Sequence, residues 1–215
     1  MTSTVSLFAS ARRGRRSEPE WLVVVVVIVA LLAGWGLKAV VEGGTATFSG
    51  SGVTLEYPAG WVREDELEAG IVFRASDMRS GSSYPTNVTL AATEALPQLP
   101  VEADAESAML DRMTPALTAW SFQRGQELTA FRVLDTAPAE VGGREAAALH
   151  YAYVTEPLAD PFRQALPVVI EAVDYLIPIG ERTIVLTVAA DGAQFQTVNA
   201  RHFEAILSSV RLLAE

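Results

Sequence analysis

Two histidines, four clustered acids and three aromatic residues are the side chains here whose types suit chemistry. His150 and His202 could each act as a base or a metal ligand, because a neutral imidazole carries one donor and one acceptor nitrogen. Neither has a cysteine or a second histidine at a ligand spacing, and the whole chain lacks cysteine. A packed or surface imidazole is the plainer role for both. Glu64, Asp65, Glu66 and Glu68 supply oxygen ligands of the kind a calcium ion takes. They are adjacent rather than spaced around a glycine turn, so a solvated acidic loop is the expected reading, with a metal at Glu64–Glu68 left open. Neither H-E-x-x-H nor G-x-S-x-G occurs, and no glycine-rich loop follows a strand in a phosphate-binding pattern. No catalytic, cofactor-binding or metal residue is assigned, and no cofactor is expected.

Trp61 directly follows the turn Pro58-Ala59-Gly60 and is expected to plug the core beneath a sheet edge. It is less suited to stacking a ligand. Tyr151 and Tyr153 share one strand face, so they either pack across strands or line a groove, with packing the first expectation. His150 alternates with them and points to the opposite face. Asn87-Val88-Thr89 has glycosylation spacing but falls in an expected strand.

These residues need a scaffold, and the patterning supplies one. Short strands are expected at Thr45–Ser49 and Val53–Tyr57, joined by Gly50-Ser51-Gly52, then at Ile71–Ser76 and Thr86–Thr93. Leu96–Pro100 is a proline-bounded connection. A helix from Asp104 to Phe122 follows, with Leu110, Met113, Leu117 and Trp120 on one face. Pro115 interrupts it, giving either two short helices or one kinked helix. Four strand-like runs come next: Glu127–Thr136, Arg144–Thr155, Leu166–Ile177 and Arg182–Ala190. The third of these is long and mostly apolar, as for a central strand covered on both faces. Asp191-Gly192 ends the sheet. A last helix should carry Phe195, Val198, His202, Phe203, Ile206, Leu207 and Val210 inward. Sequential strands without intervening helices make an antiparallel arrangement, so the fold class is α+β: a mostly antiparallel sheet flanked by helices.

One stretch does not belong to that domain. From Trp21 to Leu37 there are 17 consecutive uncharged residues, and the run to Val41 contains only Lys38. At 1.5 Å per residue, such a run matches a hydrocarbon layer about 30 Å thick. Its valines would favour a strand in water, but a lone strand in lipid leaves its backbone unpaired, so a helix is expected. Trp21 and Trp35 lie towards its ends, where indoles favour the interface. Arg12, Arg13, Arg15 and Arg16 precede it, which orients the tail towards the cytoplasm. The expected organisation is a basic tail at 1–20, one N-terminal transmembrane helix at 21–41, a linker at 42–44 and an extracytoplasmic domain at 45–215. A cleaved signal peptide, with Gly44-Thr45-Ala46 at the cleavage site, is the alternative. Ala30 and Gly34 form a small-xxx-small pair suited to helix pairing.

Beyond residue 44 the chain has eleven arginines, no lysine and a net charge of −12. That charge argues against nucleic acid or anionic lipid as a partner. The oligomeric state is open.

Three stretches carry a resemblance. Gly52-Val53-Thr54-Leu55-Glu56-Tyr57-Pro58-Ala59-Gly60-Trp61 is similar to the opening of the PsbP-like superfamily, whose members begin with an extended segment and an aromatic-Pro-x-Gly-Trp turn. Phe203 to Leu212 resembles the terminal helix of that family, and Gly142-Gly143-Arg144-Glu145-Ala146 its glycine turn before a central strand. The resemblance covers residues 45–213 and implies an antiparallel sheet sandwiched by helices, as an α/β/α sandwich. It also implies a mainly non-catalytic role, as in extrinsic subunits, accessory and assembly factors, and exported bacterial proteins. Photosynthetic members use a long N-terminal extension and basic residues, and this chain departs from both with its apolar helix and acidic domain. The expected function is a membrane-tethered accessory, assembly or scaffold domain for a protein partner. The alternative is a small-ligand binder using a groove between the sheet and the Asp104–Phe122 helix.

Overall fold

A computed structural model describes residues 20–97, 108–155 and 166–213. The basic tail, the expected helix start at Asp104, the end of the Leu96–Pro100 connection and the Glu156–Arg163 link lie outside the described residues. The chain divides into two compact units, 1–41 and 42–215.

The first unit contributes α1, Glu20–Glu42, a 23-residue helix. Its described side chains run from Trp21 to Gly36, and all from Trp21 to Trp35 are exposed. Among the described residues no helix is long and apolar enough to cross a membrane.

The second unit begins with the hairpin β1 (Thr45–Gly50) and β2 (Val53–Pro58). Ser51 and Gly52, both at positive φ, make its turn. Then come β3 (Val62–Arg63), β4 (Ile71–Asp77) and β5 (Thr86–Glu94), and after them α2 (Ala108–Glu127). Four long strands follow: β6 (Arg132–Val141), β7 (Arg144–Thr155), β8 (Val168–Ile179) and β9 (Arg182–Asp191). The chain closes with α3 (Gly192–Gln194), a π-helical turn (Phe195–Asn199), α4 (Ala200–Ser209) and β10 (Arg211–Leu212).

The strands form two antiparallel sheets where one was expected: β1-β2-β10, and β3-β4-β5-β9-β8-β7-β6. The hairpin leaves the main sheet because Phe48, Val53, Leu55 and Tyr57 bury one face against Phe73, Leu90 and α4, in one core cluster. Helix α2 packs on the opposite face through Met113, Ala116, Leu117 and Trp120, over Leu149, Tyr151 and Leu176. Helices therefore lie on both faces of the main sheet.

Three expectations are corrected, and of the two alternatives at Pro115 the single helix is the one that forms. The strand covered on both faces is β9, fourth of seven in the sheet, and its interior residues 183–190 are all buried. The run expected to be central, β8, alternates buried and half-buried residues instead. Glu127 ends α2 rather than starting a strand, and β6 begins at Arg132. Helix α2 runs unbroken through Pro115, where the Thr114 hydroxyl donates to Leu110 O and the Thr118 hydroxyl to Thr114 O. In the last helix Val198 and His202 face outward, and Asn199 takes the buried position. The π-helical turn is the reason: its wider winding rotates the side chains that follow relative to an α-helical count.

The β6–β7 hairpin turn, Gly142-Gly143, separates two effects of glycine. Both are at positive φ, but only at Gly142 would a Cβ meet neighbours, Leu212 Cγ at 3.2 Å and Val210 O at 3.3 Å. Gly143→Ala is expected to cost about 1 kcal/mol from backbone strain alone. Gly142→Ala adds displacement of β10 and should cost about twice as much. Urea denaturation of the two variants measures the difference.

Candidate functional site

Each histidine is occupied. His150 Nε2 lies 2.7 Å from Glu171 Oε1, and its ring stacks on Phe195 at 5.8 Å between centroids. It faces away from Tyr151, as the alternation implied. His202 is exposed on α4, edge-on to Trp61 at 6.2 Å. Among the described residues the two histidines share no polar partner. His202→Ala should change stability by no more than about 0.5 kcal/mol, the usual effect of a surface replacement. A urea midpoint reads it. Trp61 is buried in the core with Phe73 and Phe203, and its backbone N–H donates to Pro58 O at 2.9 Å across the turn.

The acidic stretch does not converge. Glu64 turns inward, accepting from Arg74 Nη1 at 3.3 Å and from the Ser76 hydroxyl at 3.2 Å, while Asp65, Glu66 and Glu68 are exposed. Among the described residues no group of acids and histidines could hold a metal ion. Asn87 donates from Nδ2 to the Tyr84 hydroxyl at 3.0 Å and to Pro85 O at 3.1 Å, inside the sheet.

The polar centre of the domain lies elsewhere, beneath the C-terminal half of α2. Asp174 on β8 is fully buried and accepts four hydrogen bonds. Trp120 Nε1 and Arg124 Nε reach its Oδ2 at 2.6 and 2.9 Å. The Thr187 hydroxyl and the Tyr151 hydroxyl reach its Oδ1 at 2.6 and 3.1 Å. Arg124 also lies over the Trp120 ring, 4.8 Å from its centroid, and pairs with Glu127. Burial is the largest single influence on the Arg124 pKa and lowers it, but the charge and hydrogen bond of Asp174, with Tyr151 and Glu127, together outweigh it, and the net shift is upward. The guanidinium is thus a permanent charge.

Beside this node opens a cavity of about 540 Å³. Its walls come from Glu68 in the loop before β4, from Ile71 at the start of β4, from β5 (Thr89, Ala91), from α2 (Gln123, Arg124) and from Tyr151 and Tyr153 on β7. The two tyrosines therefore pack across the strand and line a groove at once. Tyr153 shares a 2.9 Å hydrogen bond with Tyr84. The groove expected beside the helix exists, but at residues 120–127 of α2 and Leu128 just after it, beyond most of the Asp104–Phe122 span.

Desolvation, reinforced by the charge of Asp174, raises the Tyr151 pKa; desolvation and Tyr84 raise that of Tyr153, and desolvation that of Tyr175. In the unfolded chain a tyrosine ionises near its ordinary pKa of about 10, so above that pH the folded state holds more protons. Stability from these three groups is therefore intact below pH ~10 and falls as pH rises further. Phenolate absorbance should show them ionising together with unfolding rather than before it.

Sequence reasoning missed Arg74, Thr89, Arg124, Asp174 and Thr187. The available signal was Asp174, a lone acid inside the apolar stretch Tyr175-Leu176-Ile177 and Ala172-Val173.

No family model and no curated protein matches the chain. Solved structures do. The solution structure of cyanobacterial PsbP (CyanoP) from Synechocystis sp. PCC 6803 aligns at a TM-score of 0.50 with 15% identity, covering 78% of this chain and 92% of that one. LpqN, involved in cell envelope biogenesis of Mycobacterium tuberculosis, aligns at 0.45 with 14% identity, covering 80% and 91%. The Saccharomyces cerevisiae Ran-binding protein Mog1p aligns at 0.46 with 10% identity, covering 79% and 96%. The second unit, with its main sheet between helices and its Tyr57–Trp61 turn, has the PsbP-like fold.

Proposed function

We propose that the chain is a membrane-tethered, extracytoplasmic and non-catalytic domain that serves a membrane-associated protein partner as an accessory or scaffold factor. One observation supports the non-catalytic part: the buried Asp174 and the half-buried Glu64 and His150 are each committed to partners within the domain. Asp174 holds four donors, Glu64 holds Arg74 and Ser76, and His150 holds Glu171. A general base or nucleophile needs a free, aligned partner at an open site. The accessory role accords with the fold, although a fold by itself does not assign function.

The tether is supported by α1. Its described side chains are apolar and exposed on every side, a surface that water does not solvate well. The sequence continues apolar to Val41, with Lys38 able to extend its ammonium to the headgroups. In-cell photocrosslinking of the full-length chain, followed by detergent pull-down, tests both parts. The expected result is membrane fractionation with one dominant crosslinked protein. A chain that fractionates with soluble proteins overturns the tether, and enzyme-like turnover of ester, phosphate or peptide substrates overturns the non-catalytic reading.

The cavity favours a second reading, a small-ligand binder on the same face. Its volume lies within the usual range for small-molecule sites, roughly 300–1,000 Å³.

A further inference from the structure

The register of the main sheet places four polar residues in one continuous row on the face that α2 partly covers. Arg74 pairs with Thr89, Thr89 with Thr187, and Thr187 with Asp174, on β4, β5, β9 and β8 in turn. Their neighbours on this face, Ala91, Ala172, Leu176, Val185 and Ala189, are apolar and belong to the α2 core cluster. An inward sheet face is ordinarily apolar throughout, so a row crossing four strands needs an account. Arg74, Thr89 and Thr187 form the floor of the cavity, and Arg124 stands over them from α2.

The hydrogen-bond accounting of this floor is one-sided. Apart from the exposed Glu68, the carboxylates around it are engaged. Both Asp174 oxygens are filled, Glu64 holds Arg74 and Ser76, and Glu127 takes Gln123 Nε2 on one oxygen and Arg124 Nη1 on the other. Donors remain. Arg74 uses Nε for Thr89 and Nη1 for Glu64, leaving Nη2 without a hydrogen bond among the described residues. The Thr89 oxygen accepts from Arg74, so its hydroxyl proton is available. Arg124 Nη2 has only a long contact of 3.5 Å to Thr187. Two guanidiniums and a hydroxyl thus present spare donors to one space, which suits an anion with planar, bidentate acceptors. Ile71, Ala91 and Leu128 give the same space apolar walls.

We infer that the cavity binds a small organic acid, its carboxylate seated on the Thr89–Thr187 stretch between Arg74 and Arg124 and its apolar body against Ile71, Ala91 and Leu128. This rests on the small-ligand reading above and names the ligand class. Glu68, exposed at the cavity wall, disfavours ligands carrying several negative charges.

The test is calorimetry on the detergent-solubilised full chain, with acetate, butyrate, hexanoate and benzoate, each against the amide and the primary amine of the same body. Acids should bind, with affinity rising along the aliphatic series and falling at high salt, and amides should bind at least about tenfold more weakly. Arg74→Gln, which removes one donor set and leaves the Asp174 node intact, should weaken the acids by about tenfold and the amides little. Ala91→Trp should abolish binding of every probe by filling the space, with thermal unfolding confirming that the variant folds. Amides binding as tightly as acids, or Arg74→Gln binding acids normally, would overturn the carboxylate assignment and leave a small-ligand site standing. Binding that survives Ala91→Trp would place the site elsewhere and overturn the inference. No binding by any probe would overturn both this inference and the small-ligand reading.

Discussion

Replacing Asp174 by alanine is expected to destabilise the domain by about 3–5 kcal/mol, because it leaves a largely buried guanidinium without its main counter-charge. Arg124 is held at 2.9 Å by Asp174, with Glu127 its only other carboxylate partner among the described residues. Trp120, Tyr151 and Thr187 lose their acceptor in the same step. For a domain of this size the loss corresponds to a fall in melting temperature on the order of 10 °C. Differential scanning calorimetry reads it directly. Asp174→Asn separates charge from shape: its amide nitrogen would meet donors, so it should recover only part of the loss. Arg124→Met in the Asp174→Ala background should cost less than either single change suggests, since the unpaired charge is then gone. Strict additivity of the two would mean that the pair does not interact and that α2 is docked by its apolar face alone.

Phe73→Ala is the second large effect, expected at about 3–5 kcal/mol. Phe73 is fully buried on β4 of the main sheet, stacked on Phe48 at 4.5 Å and tilted against Tyr57 at 5.1 Å. Those two rings belong to the small sheet, so Phe73 joins the sheets as well as filling the core. The loss should therefore be uneven. Amide exchange in β1 and β2 should accelerate more than in β7–β9, where apolar contacts with α2 persist. Uniform acceleration would show that the two sheets unfold as a single unit and that the aromatic cluster has no special part in joining them.

How much of this was legible depended on the range over which each interaction acts. Apart from β3 and β6, strand and turn positions were readable within a few residues, because Gly50-Ser51-Gly52, Gly142-Gly143 and the alternation through Leu149-His150-Tyr151 are local signals. The burial of Trp61 and the orientation of His150 followed from the same short-range rules. Partition into two sheets was not readable. It depends on β10 reaching β2, and two residues at Arg211–Leu212 carry no strand pattern of their own. The shift that exposes Val198 and His202 was hidden for a related reason, since a π-helical turn has no distinctive composition. Least legible was the polar row, because Arg74, Thr89, Thr187 and Asp174 meet only through the strand order β4-β5-β9-β8. Apart from Asp174 in its apolar stretch, each looks ordinary in its own segment, and only register makes them neighbours.

The pairing of β2 with β10 bears on the timing of folding. Val53 stands opposite Leu212 and Leu213 N donates to Gly52 O at 2.9 Å. The Ser209 hydroxyl meets both Glu56 N, at 2.9 Å, and Glu56 O, at 3.3 Å. The second strand after α1 therefore waits for residues about 150 positions later before its sheet is complete. Contacts of such long sequence separation slow folding, because the intervening chain must be closed first. A chain emerging from a ribosome or a translocation channel would hold its β1–β2 hairpin with one edge open until nearly all of the domain had followed. A channel or a chaperone covering that edge in the interval would protect it from pairing with other chains.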